Sequence, residues 1–359
     1  MAARSVYTEI VRPSGDALME HPSRVGKYEL EQFLGGGMSH VYRAKDSVLG
    51  RRVALKILTE AGSADAETRA RFLLEARMAS SVNHENIISI YDFGEEQGRP
   101  FLVMEFLEGD SLREAIKQGR LGNFQRRLKI ALQVGRALDY IHARKIIHRD
   151  IKPENIHVDE AGKVKLMDFG IAKSEGVQLT RAGFTLGTPY YMAPEQVLGR
   201  ALTPQADVYA FGILLFELMT GTKPVTGDSV EKIFHQILYE PLHLEGLTRL
   251  GAPPALCDLI ARCTAKQLGQ RPLHLTPVCD ELTGMLDSLR PVRRPALVPA
   301  AVESHPSVAP EAAPAALPEF LAWLPAPLRS ERGMMLLAGA AVVLMAGIVC
   351  AILAMAHLV

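Results

Sequence analysis

Four short strings stand in a fixed order along the chain: "VALK" ending at Lys56, "HRDIKPEN" from His148 to Asn155, "DFG" from Asp168 to Gly170, and "GTPYYMAPE" from Gly187 to Glu195. Their charges do not suit ordinary surface loops. Lys56 lies in "RRVALKIL", a short apolar run of the kind that forms a strand. An ammonium there is costly to bury unless a carboxylate meets it. Glu75, in "FLLEARMA", is the expected partner. Asp150 and Asp168 could each do no more than cap a turn. Lys152 and Asn155 follow Asp150 within the same string.

The surrounding segments suggest two unequal lobes. "RRVALKIL" and "RPFLVMEFL" read as strands, and "AETRARFLLEARMASSV" between them has helical spacing. Later segments, "FQRRLKIALQVGRALDYIHAR" and "ADVYAFGILLFELMTG" among them, are helical. Ahead of Lys56 comes "QFLGGGMSHVY", residues 32–42. A glycine cluster alone marks only a turn.

Together and in this order, the strings resemble the eukaryotic-like, Hanks-type serine/threonine protein kinases, in their bacterial membrane-anchored form. The resemblance covers residues 28–290. It implies an α+β bilobal fold, with a small β-rich N-lobe and a larger helical C-lobe. It also implies transfer of the γ-phosphoryl group of ATP to protein Ser/Thr hydroxyls. Such transfer depends on positioning and charge neutralisation more than on covalent chemistry.

The resemblance assigns roles to individual residues. Lys56, paired with Glu75, would neutralise the α/β-phosphates. Asp150 would accept or orient the proton of the attacking hydroxyl, and Lys152 would touch the γ-phosphate. Asn155 and Asp168 would hold Mg²⁺, with Mn²⁺ as an alternative; magnesium keeps several waters, so two side chains and phosphate oxygens suffice. Leu34, Gly35, Gly36 and Gly37 would belong to the phosphate lid. Val41 and Ala54 would lie above adenine and His157 below it. Met104 would be the gatekeeper, and the backbones of Glu105 and Leu107 would bond the base. Asp207 would prop up the loop around Asp150, and Glu195 with Arg271 would form a buried structural pair. Lys152 and Thr188 match Ser/Thr rather than Tyr kinases. Arg149, beside Asp150, needs an anionic partner in kinases switched on by phosphorylation; Thr180 and Thr185 are the nearest acceptors, with Ser174 third.

Three positions depart from the family pattern. The lid is one residue short, with Ser39 where a glycine is usual. The simplest reading is a deletion near the hairpin tip, since a one-residue slip within a strand would turn Val41 to the other face. His157 stands where an apolar residue is usual. Ala79, on the Glu75 helix, stands where a larger apolar residue usually couples that helix to Phe169. None removes a group needed for transfer.

The rest of the chain reads differently. Residues 1–27 read as an irregular extension without an apolar run, which argues against a signal peptide. Residues 291–333 form a Pro/Ala-rich juxtamembrane linker. Residues 334–356 carry no charge, and as a helix would span roughly 34 Å, enough for a hydrocarbon core of about 30 Å. Arg329 and Arg332 precede that span, which places the kinase domain in the cytoplasm of a single-pass cell-membrane protein. Gly347 and Ala351 would allow two spans to pair as a homodimer. Lys plus Arg and Asp plus Glu each number 40, so nothing points to nucleic acid as a partner. Cys257, Cys263, Cys279 and Cys350 have neither zinc nor disulfide spacing and are expected reduced. The alternatives to an active, autophosphorylating kinase are a weakly active or inactive kinase-like membrane scaffold and a small-molecule or lipid kinase. The second is disfavoured because "GTPYYMAPE" resembles a peptide-docking segment.

Overall fold

The computed structural model describes residues 23–168 and 189–289. The first part is built on a six-stranded antiparallel sheet of β1 (Arg24–Val25), β2 (Tyr28–Gly36), β3 (Ser39–Asp46), β4 (Arg52–Leu58), β5 (Ile90–Glu96) and β6 (Arg99–Glu105), in the order β1-β2-β3-β4-β6-β5. Inner β4 and β6 are nearly continuous apolar runs, whereas edge strand β5 alternates in burial with a period of two. The sheet begins before residue 28, inside the stretch expected to be irregular. Val25 is buried, and Arg24–Val25 pair with Tyr28–Glu29.

Between β4 and β5 run α1 (Glu60–Ala64) and α2 (Ala66–Ser80), the second where helical spacing places it. The larger part is helical: α3 (Leu112–Lys117), α4 (Phe124–His142), α5 (Pro194–Val197), α6 (Gln205–Thr220), α7 (Val230–Tyr239), α8 (Glu245–Arg249), α9 (Pro254–Cys263) and α10 (Thr276–Ser288). Helix α4 starts where the Asn123 side chain accepts from the amide of Arg126 at 2.9 Å. Helix α6 is apolar on nearly every side and buried from Gln205 to Met219, so it forms the axis of this lobe. It stops at Gly221, whose φ of 75° is the left-handed cap that glycine adopts without strain.

A small sheet, β7 (Asp110–Ser111), β8 (Ile156–Val158) and β9 (Val164–Leu166), lies at the start of the helical lobe. The expected bilobal α+β architecture is therefore present. Cys257, Cys263 and Cys279 are free thiols, and burial pushes those of Cys263 and Cys279 up to about 12. Among the described residues no helix is long and apolar enough to cross a membrane. The expected span at 334–356, the linker, Cys350, and Phe169, Ser174, Thr180, Thr185 and Thr188 lie outside the described residues.

Candidate active site

Sheet register explains why the spacing of "VALK" matters. Residues directly opposite in an antiparallel pair share a face, and so do residues two apart on one strand. Val41 stands opposite Lys56, Lys56 opposite Leu102, and Ala54 opposite Met104. Val41, Ala54, Lys56, Leu102 and Met104 therefore share one face. A cavity opens there, lined by Gly36, Gly37, Ser39, Val41, Lys56, Glu75, Ala79, Met104, Met167 and Asp168 among others.

Lys56 is the charge centre of this cavity. Its ammonium donates to Glu75 at 3.0 Å and to Asp168 at 3.3 Å. Burial works against the positive charge, but the carboxylates of Asp168 and Glu75 outweigh it and hold Lys56 well above its usual range. Burial also raises Glu75, against the pull of Lys56. Asp168 remains half exposed, so its carboxylate can still meet a ligand.

The loop from His148 to Asn155 is held mainly by side chains. Asp207, on α6, is buried and accepts from the amides of His148 at 2.7 Å and Arg149 at 2.8 Å. Its Oδ2 also lies 2.8 Å from His142 Nε2. Arg149 has φ of 69°, a strained value for a residue with a side chain. Two amides converging on one carboxylate support that conformation. Lys152 then donates to Asp150 at 2.8 Å, and the Asn155 amide donates to the Asp150 carbonyl at 2.8 Å and carboxylate at 3.0 Å. His148 Nε2 lies 3.1 Å from the carbonyl of Met167, so that nitrogen carries the proton. Burial holds this imidazole below its ordinary range, despite Asp207 and Asp150 nearby.

The expected nucleotide-binding residues separate into two groups. Gly36, Gly37, Val41, Lys56 and Met104 line the cavity directly. Ala54 and Leu107 are buried with Met104 and Met167 in an apolar cluster beside it. Leu34, Gly35, Glu105 and His157 lie outside its lining. His157 is 2% exposed on β8, and a Cβ at Gly109 would come within 2.9 Å of its ring. Burial lowers its pKa, against the raising influence of the Glu108 backbone and nearby carboxylates.

The short lid keeps Val41 opposite Lys56. Register shifts within β2 between Phe33 and Gly35, where Leu34 is the extra residue. Gly36 has φ of 141°, and a Cβ there would sit 1.9 Å from the Ser39 carbonyl oxygen. Only glycine allows so tight a return.

Arg271 grips both oxygens of Glu195, at 2.7 and 3.0 Å, in a buried bidentate pair. Other contacts carry no motif. Lys165 donates to the Glu105 carboxylate at 2.7 Å and to the Ile87 carbonyl at 3.2 Å, tying β9 to the end of β6. Arg113 sits among Glu154, Glu217 and Tyr191. A second groove, lined by Glu108, Asp110, Arg120, Asp159 and Glu160, includes none of the predicted catalytic or metal residues.

Among the described residues no group of three or more His, Cys, Asp or Glu side chains could hold a metal by itself. Asn155 and Asp168 suit a hard cation that takes its other ligands from phosphate and water. The Asn155 nitrogen is occupied by Asp150, which leaves its oxygen as the coordinating atom.

A β-rich lobe carrying a Lys–Glu pair, joined to a helical lobe carrying an Asp–Lys–Asn loop, defines the protein kinase class. The protein kinase domain model matches residues 28–280, and the chain belongs to that family. It is 38% identical over 259 residues to the serine/threonine-protein kinase PrkC of Bacillus subtilis, covering 72% of this chain and 39% of that one. It is 37% identical over 276 residues to PknA of Mycobacterium tuberculosis, covering 75% and 63%. It is 41% identical over 261 residues to pkn3 of Myxococcus xanthus, covering 68% and 47%. The chain thus spans less than two thirds of the length of each of these relatives.

Proposed function

We propose that this protein is a serine/threonine protein kinase that transfers the γ-phosphoryl group of ATP to protein hydroxyls. The observation that carries this reading is the cluster of Asp150, Lys152 and Asn155, together with Lys56 held between Glu75 and Asp168. Asp150 orients the acceptor hydroxyl and receives its proton. Lys152, already 2.8 Å from Asp150, meets the transferred phosphoryl group. Lys56 holds the α/β-phosphates, and Glu75 keeps Lys56 aimed at them. Asn155 and Asp168 would hold Mg²⁺, which when bound neutralises charge on the phosphate oxygens. The three curated relatives named above are serine/threonine-protein kinases, which favours those hydroxyls over tyrosine.

The uncharged run at 334–356 anchors the protein in the cell membrane, with the kinase domain cytoplasmic. Pairing through Gly347 and Ala351 would bring two kinase domains together. Thr180 and Thr185 are the autophosphorylation sites that would supply Arg149 with an anion. To test the activity, the full chain is incubated with labelled Mg-ATP and its phosphoamino acids are separated. Phosphoserine or phosphothreonine in wild type and none in Asp150→Asn is expected. Equal label in both proteins, or none in either, would favour the scaffold reading.

A further inference from the structure

The tip of the lid is held from outside the lid. The last paired residues of the β3–β4 ladder are Ser39 and Leu58. One step further out, the Met38 carbonyl accepts from the amide of Thr59 at 3.0 Å and from its hydroxyl at 3.1 Å. The same hydroxyl oxygen accepts from the amide of Gly62 at 3.0 Å, which makes Thr59 the N-cap of α1. One side chain thus donates to the lid and accepts from the helix. Gly62 completes the contact, because a Cβ there would lie 2.3 Å from the Met38 oxygen. Only glycine lets α1 approach the tip this closely.

The contact continues toward Glu75. Asp65 ends α1 and also caps α2, accepting from the amide of Thr68 at 3.0 Å. The lid tip is therefore joined to the helix that carries Glu75 with no free loop between them. Gly36, Gly37 and Ser39 line the cavity, while the Met38 side chain is exposed and its carbonyl is engaged by Thr59. A glycine hairpin without such a contact must lose conformational freedom when it closes on a ligand. Fixing Met38 beforehand removes part of that loss.

We infer that Thr59 is a positioning residue for the nucleotide phosphates. It clamps the Met38 carbonyl, holds the shortened lid over the cavity and couples it to the Glu75 helix. The inference rests on the proposed kinase reading only in taking the cavity as the ATP site.

The test uses the full chain and three variants. Thr59→Val keeps the amide contact and removes the hydroxyl; Thr59→Ser restores the hydroxyl. Gly62→Ala keeps the hydroxyl and pushes on Met38. Each is titrated by calorimetry with adenylyl imidodiphosphate and Mg²⁺, and separately with adenosine. KM for ATP and kcat are then measured. Thr59→Val and Gly62→Ala should weaken the triphosphate analogue about 3- to 10-fold, the span of one lost hydrogen bond. KM should rise by a similar factor, with kcat within about twofold of wild type. Adenosine affinity should not change, and Thr59→Ser should match wild type. Unchanged analogue affinity in Thr59→Val would overturn the inference. So would an equal loss for adenosine, or a loss that Thr59→Ser fails to restore. If wild type transfers no phosphate, the kinase reading fails, while the analogue titration still decides the role of Thr59.

Discussion

The loop from His148 to Asn155 is fixed by side chains, while the lid from Leu34 to Val41 is fixed largely by main chain. In the loop, Asp207 takes two amides, and Lys152 and Asn155 converge on Asp150. In the lid, the contacts are strand register, a bulge at Leu34, a glycine return at Gly36 and the Met38 carbonyl on Thr59. The difference has a physical origin. Atoms that take part in bond making must be placed by directional contacts of their own. A surface that closes over phosphate needs only amides and space. Side-chain networks require particular residues at particular spacings; a main-chain cradle requires small residues and tolerates a change in length.

Substitutions at the two regions should separate their roles. The largest effect is expected at the loop's support. Asp207→Ala would strand the amides of His148 and Arg149 in the core and remove the brace on a strained residue. A loss of about 3 kcal/mol should lower Tm by roughly 6–12 °C in calorimetry. Lys56→Met should cost about 100-fold in kcat/KM for ATP, or ~2.7 kcal/mol, because Glu75 and Asp168 lose their shared cation. Gly36→Ala should raise KM for ATP about tenfold through strain of ~1–2 kcal/mol and leave kcat nearly unchanged. An equal fall in kcat would show that the lid, like the loop, positions reacting atoms.

A smaller effect concerns pH. His148 has a folded pKa held below its ordinary value by burial, so the unfolded chain binds its proton more readily. The stability it contributes is present above the unfolded pKa of about 6.5 and is lost as pH falls toward the folded value. His157 and His84, lowered mainly by burial, act with the same sign. Tm should drop between pH 7.5 and 5.5, and drop less in His148→Asn. The smallest effect is expected from inserting one residue between Gly35 and Gly36. Thr59 holds the tip beyond the insertion, so ATP affinity should stay within about twofold of wild type or improve. Abolished binding would mark the short lid as tuned.

Legibility in the sequence follows the same division. Lys56, Glu75, Asp150, Lys152, Asn155 and Asp168 were assigned from the resemblance, and the fold brings Lys56 to Glu75 and Asp168, and Asp150 to Lys152 and Asn155. The two lobes and the buried Glu195–Arg271 pair came with them. The short lid could be read as an anomaly, but not the bulge at Leu34 or the Thr59 contact at its tip. Thr59 to Met38, Lys165 to Glu105 and Arg113 to Glu217 join residues 21, 60 and 104 apart. They use ordinary side chains in no recurrent pattern, and only the folded register brings them together. A Thr before "EAGSA" is a pattern that marks a helix start, not a lid contact. His157 could be read as unusual for its position, but not its burial beside Gly109, which lowers its pKa.

Asp150 serves the transfer step and not the holding of nucleotide. The most direct measurement is single-turnover transfer of labelled γ-phosphate at saturating Mg-ATP in Asp150→Asn, with nucleotide Kd determined on the same sample. Transfer should fall at least about 100-fold, as for loss of a general base, while Kd stays within about twofold of wild type. Undiminished transfer, or a loss fully explained by weaker nucleotide binding, would contradict that assignment.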